Sequence, residues 1–245
     1  MGQSRAKKRK FFLHNPLCCF CGGGSEATTI DHIPARSFFV NRKHPKGYEF
    51  PACVSCQNRT TGAEDTVRLI ALMQASAFND DANSHFLEHE ESFLRGLAQR
   101  KPHLTDTEVE HEGNPIVRIG KETQGDVIEF HRKLALALYY KITNSILGSE
   151  RRIALTFFDP TQTDIIEEQA RITRLQPAEE SLWPESMSRQ FTYRYALFPP
   201  EESGYDLYLG MFVHGMASFA VFFMTDEAAT GRFRHILREP YSPGF

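Results

Sequence analysis

The sequence has no apolar run that approaches the roughly 20 residues a membrane-spanning helix needs, which argues against a helical membrane protein. Its first residues are basic but no hydrophobic segment follows them, which argues against a secretory signal. These absences predict a cytoplasmic protein without a membrane partner. Cysteine is also scarce, with five residues among 245. In a reducing compartment, paired cysteines bind metal more often than they form disulfides.

Charge is unevenly distributed along the chain. The net charge is −3, yet residues 1–60 hold ten Lys/Arg and three Asp/Glu, a local charge of +7. The remaining residues hold 18 basic and 28 acidic side chains, a charge of −10. This asymmetry predicts that phosphate contacts are confined to the first segment. Residues 4–10 are predicted to be a flexible basic arm, which either follows a nucleic-acid backbone or serves as a solubility tail.

The hydrophobic pattern predicts an α+β fold. It favours β-strands at 26–33 and 48–52, a helix capped at Thr61, helices at 82–99 and 126–147, and antiparallel strands in the last third. Residues 101–125 are polar and predict loops or a short hairpin, and Gly148 is expected to end the helix before it. We therefore expect a zinc-stabilised module at 1–78 and an α+β domain at 79–245. The second domain would select the target, bind a partner or regulate the first.

Two cysteine pairs carry the clearest chemical signal, Cys18-x-x-Cys21 and Cys53-x-x-Cys56. Two such turns present four thiolates with the geometry that tetrahedral zinc needs, so we predict a structural zinc site. Cys19 could replace Cys18 only through a less usual C-x-C spacing, and its alternative role is a small thiol outside the site. A closed four-cysteine site has no open coordination position. Any hydrolytic chemistry therefore needs a second centre.

Asp31, His32 and Asn58 lie between and just after the cysteine pairs. A neutral imidazole suits proton uptake near neutral pH, and carboxylate and amide oxygens suit a hydrated Mg²⁺. Because neighbouring side chains on a strand point to opposite faces, Asp31 and His32 could flank one phosphate only if the strand bends there. A zinc-dependent deaminase is excluded, since it needs Glu two residues after the ligand His, where this chain has Pro34.

The strings Ile30-Asp-His-Ile-Pro34 and Cys53-Val-Ser-Cys-Gln-Asn-Arg59 resemble the HNH endonuclease family. This family is also called the His-Me finger or ββα-metal nucleases, and the longer string 31–39 is similar to its zinc-containing bacterial members. The resemblance covers about residues 15–70. It implies a ββα-metal module in residues 1–78, with His32 as the general base and with Asp31 and Asn58 as ligands of one catalytic Mg²⁺ or Mn²⁺.

One feature of the family pattern is absent. The asparagine that usually steadies the catalytic loop should fall shortly before the second cysteine pair, where this chain has Tyr48 and Glu49, with Asn41 further upstream. Either another group steadies the loop or His32 is less well oriented.

Other residues near the motif have both a functional and an ordinary interpretation. Five basic side chains could grip backbone phosphates or form a solvated loop: Arg36, Arg42, Lys43, Lys46 and Arg59. His44 is a spare imidazole for phosphate contact or the surface. Glu64 and Asp65 could be further metal ligands but are expected to stabilise a helix N-terminus. Three aromatic residues are expected in the core rather than stacked on bases: Phe191, Tyr193 and Tyr195.

These observations together predict a metal-dependent endonuclease that hydrolyses phosphodiester bonds of nucleic acid, with DNA as the expected substrate. The alternative is a non-catalytic zinc module that binds nucleic acid or a protein partner.

Overall fold

The computed structural model describes residues 2–39, 44–76, 108–110, 116–118, 121–148, 151–157, 176–177, 191–197, 205–213 and 219–225. These residues form a mixture of helices and antiparallel strands, as the α+β expectation requires. No helix in this part of the chain is long and apolar enough to cross a bilayer.

A short β-hairpin, a one-turn 3-10 helix and three α-helices form the first part of the fold. The helices are α1 (Gly2–His14), the 3-10 helix (Arg36–Phe38), α2 (Val54–Arg59) and α3 (Thr61–Ser76). The hairpin pairs β1 (Thr29–His32) with β2 (Glu49–Ala52) in antiparallel register, and Asp31 faces Phe50 while His32 faces Glu49. Both predicted strands are therefore present in shortened form. The strand stays paired through His32, so the expected bend between Asp31 and His32 is absent.

The prediction that residues 4–10 form a flexible arm is wrong, because these residues belong to α1. Lysine, arginine and alanine are good helix formers, and the basic side chains of residues 5–10 are all exposed. The helix end is fixed by Asn15, whose side-chain amide donates to the Phe11 carbonyl at 2.8 Å. The Tyr140 hydroxyl in turn donates to Asn15 Oδ1 at 2.5 Å. The arm is thus a helix anchored to the rest of the molecule.

A long helix, α4 (Lys121–Thr143), starts earlier and ends earlier than its apolar pattern predicts. It ends before Asn144, which has a φ of 52°, rather than at Gly148. Asparagine tolerates this left-handed conformation and so supplies the helix stop. Helix α3 begins at Thr61, so the predicted cap residue is already the first residue of the helix. The preceding Thr60 contacts the first turn through its carbonyl, which accepts from the Glu64 amide at 2.9 Å.

The remaining strands form a small hairpin and a five-stranded antiparallel sheet. The hairpin pairs β3 (Glu108–Glu110) with β4 (Ile116–Arg118), and it agrees with the second of the two alternatives predicted for 101–125, loops or a short hairpin. The sheet has the order β5-β9-β8-β7-β6, with the bounds β5 Arg151–Phe157, β6 Gln176–Pro177, β7 Phe191–Leu197, β8 Tyr205–Val213 and β9 Phe219–Thr225. The predicted helix at 82–99 lies outside the described residues.

One hydrophobic core joins the first segment to α4 and β7. Phe130, Leu134 and Leu138 of α4 are fully buried, and the Phe130 ring stacks on Phe38 with centroids 5.1 Å apart. Burial of each such side chain contributes about 1.5–3 kcal/mol, so α4 is a major source of stability for the first segment. Phe191 and Tyr193 are also buried, which confirms their predicted place in the core.

Candidate metal centre and adjacent histidine site

Four cysteines converge on one point from two turns. Cys18 and Cys21 lie in the turn after α1, Cys53 caps the N-terminus of α2, and Cys56 lies in its first turn. Their sulfur atoms all lie within 4.8 Å of one another. These four cysteines could therefore hold a zinc ion.

The backbone around the cysteines also fits a metal-bound thiolate cluster. The Phe20 amide donates to Cys18 Sγ at 3.4 Å, and the Cys56 amide donates to Cys53 Sγ at 3.5 Å. Gly22, with a φ of 65°, allows the tight turn after Cys21. Amide donors stabilise negative sulfur, which is the form that binds zinc.

The pKa values of the clustered thiols also fit a metal-binding site. A hydrogen bond with the Cys56 thiol lowers the pKa of Cys18 to about 5. The same hydrogen bond, followed by burial, raises the pKa of Cys56. One negative sulfur thus makes its neighbour harder to ionise, and a divalent cation would relieve this conflict. Cys19 lies outside the cluster, and burial raises the pKa of its thiol, so Cys18 is the better ligand.

Asp31 lies on the buried side of the hairpin and faces a cation supplied by α4. Its Oδ2 is 2.7 Å from Nζ of Lys133, in a close ion pair without an aligned hydrogen bond. Its Oδ1 accepts a hydrogen bond from the His32 amide at 2.9 Å. Lys133 also pairs with Glu64 at 2.9 Å and donates to the Thr60 hydroxyl. We call this group of four side chains the Lys133 network.

The charges of the Lys133 network depend on one another. Burial alone would lower the pKa of Lys133, but the neighbouring Glu64 and Asp31 charges outweigh burial and raise it. Burial raises the pKa of Glu64, against the opposing effect of the Lys133 charge. The lysine is therefore a permanent buried cation at neutral pH. Glu64 acts as its partner, a role beyond the helix-terminus role expected from the sequence.

The Lys133 network bears directly on the expected ligands of a catalytic cation. The lysine ammonium already supplies positive charge at Asp31 Oδ2, so a divalent ion could bind this oxygen only by displacing Lys133. Asn58 is exposed near the end of α2. A metal held by Asp31 and Asn58 therefore stays a prediction.

His32 is half-buried at the end of β1 and is oriented by an arginine. The Arg36 guanidinium donates to His32 Nε2 at 2.8 Å. Because a guanidinium can only donate, Nε2 must carry a lone pair and the ring must be neutral. Burial lowers the pKa of His32, and the Arg36 charge lowers it further. His32 is therefore a proton acceptor near neutral pH.

His44 packs against His32, with ring centroids 5.0 Å apart. Its Nε2 donates to the Pro34 carbonyl at 3.0 Å. Burial lowers the pKa of His44 to about 4, and the adjacent His32 ring, which could not share a positive charge with it, lowers this pKa further. The spare imidazole predicted from the sequence is thus a direct neighbour of the candidate base.

The predicted phosphate-binding residues are in different environments. Arg36 and Lys46 are exposed, while Arg59 forms an ion pair with Glu129 at 3.0 Å. Arg42 and Lys43 lie outside the described residues. Of the three that the structure describes, Arg36 is the one joined to His32 by a hydrogen bond.

Sequence reasoning missed Lys133 as a residue of the site. Its one available signal was a lysine inside the apolar pattern of α4, directly before the buried Leu134. Its pairing with Asp31 depends on a contact 102 positions away in the chain, which local patterns do not encode.

Comparisons with protein-family models, with curated proteins and with solved structures find no match for this chain.

Proposed function

We propose that this protein is a metal-dependent endonuclease of the HNH type, which hydrolyses phosphodiester bonds of nucleic acid, with DNA as the expected substrate. In this proposal residues 1–78 are the nuclease module, with β1, β2 and α2 as its ββα unit. Residues 79–245 would select the target, bind a partner or restrain the nuclease. The observation that carries the proposal is a neutral His32 imidazole with a guanidinium at its Nε2, on a hairpin beside four cysteines that could hold zinc.

The chemistry follows from the two side chains at the surface. An incoming phosphate would attract the Arg36 guanidinium, because arginine binds phosphate oxygens in a fork geometry. Arg36 would then release Nε2 of His32, which has a lone pair ready to accept a proton. A water held between imidazole and phosphorus would lose its proton to Nε2 as its oxygen bonds to phosphorus, while the bond from phosphorus to the leaving sugar oxygen breaks and that oxygen takes a proton from solvent. Zinc at the cysteines would hold the hairpin rigid and take no part in the reaction.

Replacement of His32 tests this mechanism. We expect His32→Ala to lose at least about 100-fold of the cleavage rate on plasmid DNA with Mg²⁺ or Mn²⁺, the usual contribution of a general base. Zinc bound by the four cysteines, circular dichroism and DNA binding should remain unchanged. His14→Ala is the matched control, because His14 is exposed in α1 and distant in sequence from the hairpin. EDTA should abolish cleavage by the unmodified protein.

The alternative function is a non-catalytic zinc module that binds nucleic acid or a protein. The ion pair between Asp31 and Lys133 favours it, since the expected metal ligand is already neutralised. Absence of cleavage by the unmodified, zinc-loaded protein with either ion would refute the nuclease proposal. Retained DNA binding in that experiment would favour the alternative.

A further inference from the structure

We propose that His32, His44 and Glu49 form a second metal site, separate from the four cysteines, for a borderline divalent ion such as Zn²⁺, Co²⁺ or Ni²⁺. This second site is proposed as a metal-binding site only, and the proposal does not depend on whether the chain cleaves nucleic acid. We call it the hairpin-face site.

The register of the hairpin brings two of the ligands together. His32 and Glu49 are direct partners across β1 and β2, so their side chains lie on the same face. His44 reaches this face from the connection between the strands, and its ring meets His32 edge-to-face. One ligand atom from each residue lies within 4.8 Å of the others. Ligands of a tetrahedral zinc stand about 3.4 Å apart at bond lengths near 2.1 Å, so small side-chain movements complete the site.

His44 is already oriented as a ligand. Its Nε2–H donates to the Pro34 carbonyl at 3.0 Å, which leaves the lone pair on Nδ1. Metal-bound histidines characteristically donate their other ring N–H to a carbonyl or carboxylate, which fixes the tautomer and ring direction. Glu49 is held in a similar way, because its Oε2 accepts from the Gly47 amide at 3.0 Å. Both ligands therefore lose little conformational freedom on binding.

A cationic group already lies beside the third ligand. The Arg36 guanidinium is 2.8 Å from His32 Nε2, on the lone pair that a metal would use. Metal binding must displace this guanidinium, and Arg36 is exposed, so it can move into solvent. Arg36 is thus a competitor of the metal, and its removal should tighten binding.

The donor atoms select the class of ion. Two imidazole nitrogens and one carboxylate suit Zn²⁺, Co²⁺ and Ni²⁺, whereas Mg²⁺ prefers oxygen ligands. Three protein ligands also leave a coordination position open for water or an anion. The hairpin-face site differs from the pair Asp31 and Asn58 expected from the sequence, because Asp31 faces Lys133 on the other side of the strand.

Metal titration of the full chain tests the hairpin-face site. Protein with zinc at the cysteines would be titrated with Co²⁺ by calorimetry, and bound metals would be counted after equilibrium dialysis. We expect one further ion per chain, with affinity reduced at least about 10–100-fold by His44→Gln and by Glu49→Gln. Arg36→Gln should tighten binding, and the control His14→Gln should leave it unchanged.

Two outcomes would overturn the site. One is the absence of a second ion on the unmodified protein. The other is Co²⁺ binding that fails to broaden the ring proton signals of His32 and His44 in its NMR spectrum, which needs no variant and so no assumption about folding. If this binding is absent while His32→Ala still abolishes cleavage, the hairpin-face site fails and the nuclease proposal survives. If the ion binds, and the protein without this ion shows no cleavage with Mg²⁺ or Mn²⁺, the reverse holds.

Discussion

Replacement of Lys133 by methionine should destabilise the fold strongly, although the position lies outside any recognisable motif. Methionine keeps the length and the apolar stem of lysine but removes the ammonium. Two carboxylates that were 2.7 Å and 2.9 Å from Nζ, those of Asp31 and Glu64, then face each other without a cation. Lys133 is 3% exposed and Asp31 6% exposed, so solvent cannot readily replace the lost charge.

The loss of unfolding free energy caused by Lys133→Met can be estimated from the ion pairs removed and from the cost of protonating a carboxylate instead. At an effective dielectric constant of 20, each contact is worth about 6 kcal/mol of attraction before desolvation is subtracted. After desolvation, removal of one partner from a buried pair typically costs about 3–5 kcal/mol. The protein can limit the loss by protonating a carboxylate, which for an ordinary aspartate costs about 4 kcal/mol at pH 7. We therefore expect Lys133→Met to lower the free energy of unfolding by about 3–5 kcal/mol at pH 7.

The pH dependence separates charge loss from packing loss. Burial already raises the pKa of Glu64, and the Lys133 charge that opposes this effect is gone in Lys133→Met. Glu64 in the variant therefore binds a proton more readily when folded than when unfolded, so the stability deficit is largest at neutral pH. It shrinks as the pH falls towards the ordinary carboxylate range near 4, where protonation becomes easy. A pure packing defect would stay constant.

Urea unfolding of the zinc-loaded chain, followed by circular dichroism at pH 7 and pH 5, measures both effects. Lys121→Met is the matched control, because Lys121 is exposed at the start of the same helix, and it should change stability by less than about 0.5 kcal/mol. Adding Asp31→Asn and Glu64→Gln to Lys133→Met should recover part of the loss, since no buried charge then remains in the network. A cost below about 1 kcal/mol for Lys133→Met would refute the reasoning.

Two further predictions concern the zinc cluster and a buried histidine. Cys56→Ala should lower the bound zinc by one ion per chain relative to the unmodified protein, measured by elemental analysis, whereas Cys19→Ala should keep the unmodified content, since Cys19 lies outside the cluster; equal zinc content in the two variants would contradict the assignment. His131 is fully buried, and burial lowers its pKa to about 4. The same histidine in the unfolded chain takes up a proton already near pH 6.5, so acid favours the unfolded state. The free energy of unfolding therefore loses nothing through His131 above pH 6.5 and falls by about 3 kcal/mol between that pH and pH 4. Thermal or urea unfolding of His131→Leu should therefore show a flatter dependence between these pH values, and parallel curves would contradict the prediction.

The parts of the site that the sequence predicts are those encoded by short spacings. Each C-x-x-C turn is a local structure, so Cys18 and Cys21 could be assigned before the fold was known. The hairpin strands were also predictable, because β-branched and aromatic residues suit a half-buried strand. Lys133 was not predictable in the same way, because its role arises only when α4 packs across the hairpin and buries it beside Asp31. The basic segment was misjudged as flexible because the contact that anchors the end of its helix, between Asn15 and Tyr140, is also long-range.

The alternation of a regular strand explains why adjacent residues of one motif acquire separate environments. Register with Phe50 directs Asp31 towards the core, where α4 supplies the Lys133 cation, while register with Glu49 directs His32 to the opposite face. The Asp31 carboxylate therefore links the hairpin to α4 through its ion pair with Lys133. The His32 imidazole lies near the surface, in contact with Arg36 and His44. Any chemistry on this chain should consequently be sought on the His32 face. The same division makes the contribution of α4 structural, because α4 neutralises Asp31 and stabilises the hairpin that carries His32.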